Sequence, residues 1–77
     1  RDHSLRLTLR VPNVKGELAQ ITSAISRLGG NIISLGTLRA DASDYGIITI
    51  QILGVEEEAL RAAMEQLQAE IIDLRET

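Results

Sequence analysis

VPNVKGELAQITSAISRLGGN, residues 11–31, reads as the end of a strand, a tight loop, one helix and a double-glycine stop that leads into another strand. Pro12 closes the strand because its nitrogen has no hydrogen to give to a ladder. Asn13 suits a helix N-cap, and the helix is expected from Val14 or Lys15 to Leu28. Leu18, Ile21, Ile25 and Leu28 recur at spacings of three, four and three, with Ala24 beside them. That is one apolar stripe, with Gln20, Ser23 and Arg27 facing away. Gly29-Gly30 supplies a left-handed stop.

Upstream, Ser4 to Val11 alternates: Leu5, Leu7, Leu9 and Val11 on one side, Ser4, Arg6, Thr8 and Arg10 on the other. This is a half-buried strand. Downstream, a second strand is expected over Asn31 to Asp41. Ile32-Ile33 breaks its alternation, and Gly36 within it predicts a bulge or a close backbone approach. Ala40 to Asp44 is a hairpin turn by composition. Tyr45 to Leu53 reads as a third strand, with Ile48, Ile50 and Ile52 on one face and Ile47, Thr49, Gln51 and Leu53 on a less polar second face. After Gly54, the acidic run Glu56 to Glu58 opens a second helix, where the macrodipole favours negative charge. Leu60, Ala63, Met64 and Leu67 form its stripe, and Glu70 to Arg75 is a short fourth strand.

The order β-α-β-β-α-β in 77 residues makes residues 1–77 a single α+β domain, read as a fragment of a longer protein because the chain begins at Arg1. The expected fold is ferredoxin-like: a four-stranded antiparallel sheet, order 4-1-3-2, with both helices on one face. The second strand is then an exposed edge, open to pairing with another copy. Ile47, Leu53 and Ile71 are expected to put apolar surface on the open face, a further docking contact.

The net charge of −3 argues against nucleic acid and against an anionic membrane surface. Nucleic-acid binding through such a sheet also calls for exposed aromatic residues, and Tyr45 is the one aromatic residue in the chain. Arg6 and Arg10 read as an ordinary solvent face or a docking surface. With no cysteine there is no disulfide or thiolate chemistry, and metal-ligand spacing is absent, so no metal and no cofactor is expected. His3 is the sole histidine and sits near the start of the chain, so no serine has a base within the fold and no enzyme is expected. A cytoplasmic setting fits the lack of cysteine, of a signal peptide and of any long apolar run.

The remaining candidate is the loop that opens the first helix. Its free N–H groups and partial positive charge suit an anionic ligand group. Gly16 lets the backbone come close to a ligand or to its own strand. Asn13 carries a donor and an acceptor, which serve either capping or a ligand contact. Asn31 is open to the same two readings.

At these residues the chain resembles an ACT domain. P-N-V-K-G-E-L-A-Q-I, a helix, then L-G-G-N-I-I-S-L matches the family's order and spacing at Asn13, Gly16, Leu18, Ile21, Gly30, Asn31 and Ile32. The resemblance covers essentially the whole chain and looks most like ACT domains attached to paired CBS domains, as in acetoin-utilisation-type proteins. Two positions depart from the pattern: Lys15 stands where a proline is usual, and Asn13 where an acidic residue is often found. The resemblance implies a regulatory module that binds a small molecule, an amino acid by expectation, and transmits occupancy to attached domains through dimerisation. It implies a homodimer through strand two, about residues 31–41. The ligand site then lies between the loop of one copy and the Asn31–Ser34 region of its neighbour, with Asn13, Val14, Lys15, Gly16, Leu18, Asn31, Ile32 and Ile33 as its residues. The alternative is a structural dimerisation module without a ligand, which the Lys15 departure and the apolar second sheet face favour.

Overall fold

The alternating stretch forms β1 (Ser4–Val11), and Leu5, Leu7, Leu9 and Val11 are all buried on one side of it. The computed structural model describes residues 4–39 and 45–77. After β1 come α1 (Val14–Arg27), β2 (Asn31–Arg39), β3 (Gly46–Leu53), α2 (Glu57–Gln66) and β4 (Glu70–Glu76). The four strands form one antiparallel sheet in the order β2-β3-β1-β4, which is the expected 4-1-3-2 read from the other edge. The fold is the ferredoxin-like βαββαβ arrangement. The expected turn over 40–44, the last two residues assigned to the second strand, and His3 lie outside the described residues.

Register ties the core together. Leu5, Leu7 and Leu9 stand opposite Ile52, Ile50 and Ile48, so two period-two patterns share one dry face. Ile21, Ala24 and Ile25 of α1 and Leu60 and Met64 of α2 close over it as a single cluster. Each fully buried aliphatic side chain of this kind contributes roughly 1.5–3 kcal/mol relative to exposure. Leu28 does not join them. It is the C-cap of α1 and lies at the surface, because Gly29 at φ +83° turns the chain away just past it.

Two isoleucine pairs carry the irregularities. In β2, Ile32 faces Ile52 and Ser34 faces Gln51, which leaves Ile33 as an extra residue, 47% exposed. In β4, Ile71 faces Leu9 and Asp73 faces Thr8, which leaves Ile72 extra and 50% exposed. Each bulge resets the alternation, so Ile32 and Leu35, and likewise Ile71 and Leu74, fall on the helix side despite their odd spacing. Two expectations are corrected by this. Gly36 lies in register opposite Thr49, with open space where a side chain would be, so it marks neither a bulge nor a close approach. Ile71 packs against the core and adds nothing to the open face.

That open face carries half-buried Ile47, Thr49, Gln51 and Leu53, with exposed Arg6 and Arg10. Arg10 is engaged: its guanidinium lies 3.8 Å from the ring centre of Tyr45, which precedes β3 instead of opening it, and 3.2 Å from the Glu70 carboxylate. At the far end, the Ser4 and Thr77 hydroxyls are 2.5 Å apart and both receive the Gln51 amide, while the Thr77 N–H donates to the Ser4 carbonyl at 2.9 Å. No helix among the described residues is long and apolar enough to cross a membrane.

At the near end, Val11, Gly46 and Arg39 stand abreast on β1, β3 and β2. Gly46 has no side chain where Val14 descends from the start of α1. An added Cβ would sit 2.2 Å from Val14 Cγ2 and 3.1 Å from the Leu38 carbonyl. Gly46→Ala is therefore expected to destabilise the domain by about 1–3 kcal/mol in urea unfolding. Adding Val14→Ala should recover most of that loss, and a double variant no more stable than the single one would show that Val14 is not the obstacle.

Candidate functional site

Asn13 caps α1 from an extended conformation. Its Oδ1 accepts the Gly16 N–H at 3.4 Å, and its carbonyl accepts the Glu17 N–H at 2.8 Å. The side-chain bond is long and correspondingly weak. The Asn13 amide nitrogen makes no hydrogen bond with any described residue, so capping leaves donors to spare. Gly16 preserves this arrangement, since a Cβ there would lie 2.7 Å from Asn13 Nδ2. The close approach expected of Gly16 is to the capping side chain.

Pro12, Asn13, Val14 and Lys15 line a hollow of about 400 Å³ together with Arg39. Arg39 is the residue that sequence reasoning missed. It stands at the last position of β2, and only the β2–β3–β1 register brings it to the loop. Its Cγ lies 3.5 Å from where a Gly46 Cβ would be, so the stem runs over Gly46 beside Val14. The sole hint in the sequence is a cation followed, a turn later, by a glycine at the start of the next strand.

The remaining expected residues do not gather there. Leu18 is half-buried against the margin of the core. Asn31 pairs with Leu53, which pairs with Ser4, so Asn31, Ile32 and Ile33 sit at the opposite end of the sheet. Ile32 packs against the core, whereas Asn31 and Ile33 are exposed. Within one chain the candidate site is thus two half-sites joined by β2. That strand is an edge exposed along almost its whole length, with Leu38 at 68% and Leu35 at 39% exposure.

A second hollow of about 440 Å³ lies between the helices, lined chiefly by Ala24, Leu28, Ala59, Ala62, Ala63 and Leu67. It offers apolar surface and little chemistry. Among the described residues no group of three or more His, Cys, Asp or Glu side chains could hold a metal ion.

Comparison with known proteins identifies the family and agrees with the fold. The family model described as an AHAS small subunit-like ACT domain matches residues 7–74. Acetolactate synthase small subunit 2, chloroplastic, of Arabidopsis thaliana is 43% identical over 76 residues, covering 99% of this chain and 15% of that protein. The chain therefore spans about 15% of the length of that relative. Among solved structures, an ACT domain protein from Streptococcus pneumoniae superposes with a TM-score of 0.75 at 17% identity, over 99% of this chain and 91% of that one. The ligand-free regulatory subunit of aspartate kinase from Thermus thermophilus does so with a TM-score of 0.73 at 18% identity, over 96% and 50%. The matching subtype is the small-subunit kind, and the expected CBS-attached kind finds no support in these matches. The chain belongs to the ACT-domain family, as an AHAS small subunit-like ACT domain.

Proposed function

We propose that this domain is a regulatory module that binds an amino acid between two copies of itself and passes occupancy to the domains attached to it. The larger protein is then a small subunit of the acetolactate synthase kind, its partner the synthase, its setting cytoplasmic. The attached domains are those of such a subunit and not paired CBS domains. One observation carries the reading: the two half-sites lie at opposite ends of an exposed edge strand. Antiparallel pairing of β2 with its twin about Leu35 sets Asn31 of one copy across from Arg39 of the other. Each loop then stands beside Asn31, Ile32 and Ile33 of the partner subunit.

The physics favours that pairing. β2 is nine residues long, carries no proline or lysine, and exposes Ile33, Leu35 and Leu38. Unprotected apolar edges of this kind pair with other strands. A domain of this size gains stability from any such interface, and a two-fold contact closes both edges at once. In the shared site the ligand carboxylate meets the free amides of α1. The spare Asn13 amide and Asn31 of the partner subunit hold its polar groups. Val14, with the exposed Ile33 of the partner subunit, favours an aliphatic side chain. Occupancy couples to distant activity to the extent that the ligand binds one arrangement of the two copies better than another.

The same edge serves a ligand-free assembly module, which Lys15 in place of the family's usual proline favours. Calorimetry on the full-length protein with the common amino acids separates the two readings. A ligand is expected, and Asn13→Ala should weaken it by about tenfold or more. Silence across the whole panel would leave the assembly reading. Leu35→Glu places like charges at the centre of the pairing. Light scattering should then show monomer where the unaltered protein is a dimer, with amino-acid binding lost alongside. A variant that stays dimeric would rule out the β2 interface.

A further inference from the structure

The hollow at the start of α1 contains two cations from distant parts of the chain. Lys15 comes from the first turn of the helix and Arg39 from the end of β2. The other lining residues are Pro12, Asn13 and Val14, so no carboxylate among the described residues lines it. Elsewhere on the surface Arg10 pairs with Glu70 at 3.2 Å, Arg61 with Glu57 at 3.4 Å and Arg75 with Asp73 at 2.9 Å, while Arg6 and Arg27 stand singly, with no ion pair among the described residues. Lys15 and Arg39 have no ion-pair partner among the described residues. In a chain of net charge −3, two cations lining one hollow with no carboxylate beside them among the described residues are a local concentration of positive charge.

The exposed Arg39 stem also starts from a fixed place on the sheet, opposite Gly46. It passes over bare Gly46 beside Val14, with Cγ 3.5 Å, an ordinary contact distance, from where a Cβ at position 46 would sit. The planar fork of a guanidinium matches a carboxylate.

We propose that Arg39, with Lys15, is the carboxylate clamp that sets ligand class and orientation at this site. This rests on the amino-acid reading above and goes beyond it. The clamp repels an ammonium group, so the ligand enters with its carboxylate toward Lys15 and Arg39. Its α-ammonium points away, toward Asn31 of the partner subunit. The carboxylate is then the anchoring group and the ammonium a secondary one. Acids that lack the amino group retain part of the affinity, and amines that lack the acid do not.

Calorimetry with L-valine, L-leucine and L-isoleucine, their amides and their 2-oxo acids on the full-length protein tests this. The amides should bind at least about tenfold more weakly than the acids, the loss of a charge-assisted contact. The 2-oxo acids should bind more tightly than the amides, and affinity for the acids should fall as salt rises. Arg39→Met should weaken the acids by about tenfold or more and leave the amides unchanged, with Arg39→Lys between. Because Arg39 lies on the edge strand, Lys15→Met repeats the test off that edge, and light scattering confirms that each variant keeps its assembly. Amides that bind as well as acids, or both Met variants binding the acids as the unaltered protein does, would overturn the clamp and leave amino-acid sensing standing. No binding of any amino acid by the unaltered protein would remove both.

Discussion

Only one side of this sheet is kept dry, and the leucines of β1 and the isoleucines of β3 decide which. Leu5, Leu7 and Leu9 sit opposite Ile52, Ile50 and Ile48, so a shift of one residue in their pairing would turn the large side chains of one of the two strands into water. Both helices must therefore lie on that side. Two helices of fourteen and ten residues cover the two central strands fully and the outer strands only in part. Leu35 faces the helix side of β2 yet remains exposed. The open edge, with apolar residues on both of its faces, is thus a by-product of how the core closes.

The same constraint shapes the corner where α1 begins. Val14 can reach the sheet because Gly46 is bare, and that descent brings the first turn of the helix level with the end of β2. The bulge at Ile33 acts at the other end of the strand. It restores the helix-side alternation for Leu35 and frees Ile33 from regular pairing. One strand therefore presents a regular segment over residues 34–39 for pairing and an irregular start with exposed polar and apolar groups.

Much of the fold was legible because its signals are local. Pro12 ends β1 and Asn13 caps α1, Gly29 stops the helix, and period-two runs give β1 and β3 within a residue of their observed bounds. What failed was non-local. Gly36 looked like the irregular residue of β2, but the Ile32-Ile33 pair absorbs the bulge, since two successive isoleucines cannot both face a dry side. Ile71 was misplaced for the same reason, its neighbour Ile72 being the extra residue in β4. Of the candidate site, Asn13, Val14, Lys15 and Gly16 could be read from the loop itself. Arg39 could not, because twenty-three intervening residues fold before register sets it beside Lys15.

The polar cluster of Ser4, Gln51 and Thr77 has a mechanical consequence. β1 and β4 run antiparallel with Leu5 opposite Glu76, so Ser4 and Thr77 lie side by side at one end of the sheet. A tension that draws these two points apart acts along the hydrogen bonds and not across them. It loads one residue pair at a time, first the Ser4–Thr77 lock, then Leu5–Glu76, then Arg6–Arg75. Such a strand peels away like an opened zipper and offers little resistance, because the load is never shared between pairs as it is in shear. Under load β4 leaves first, while β1, β3 and the α1 corner at the far end stay assembled.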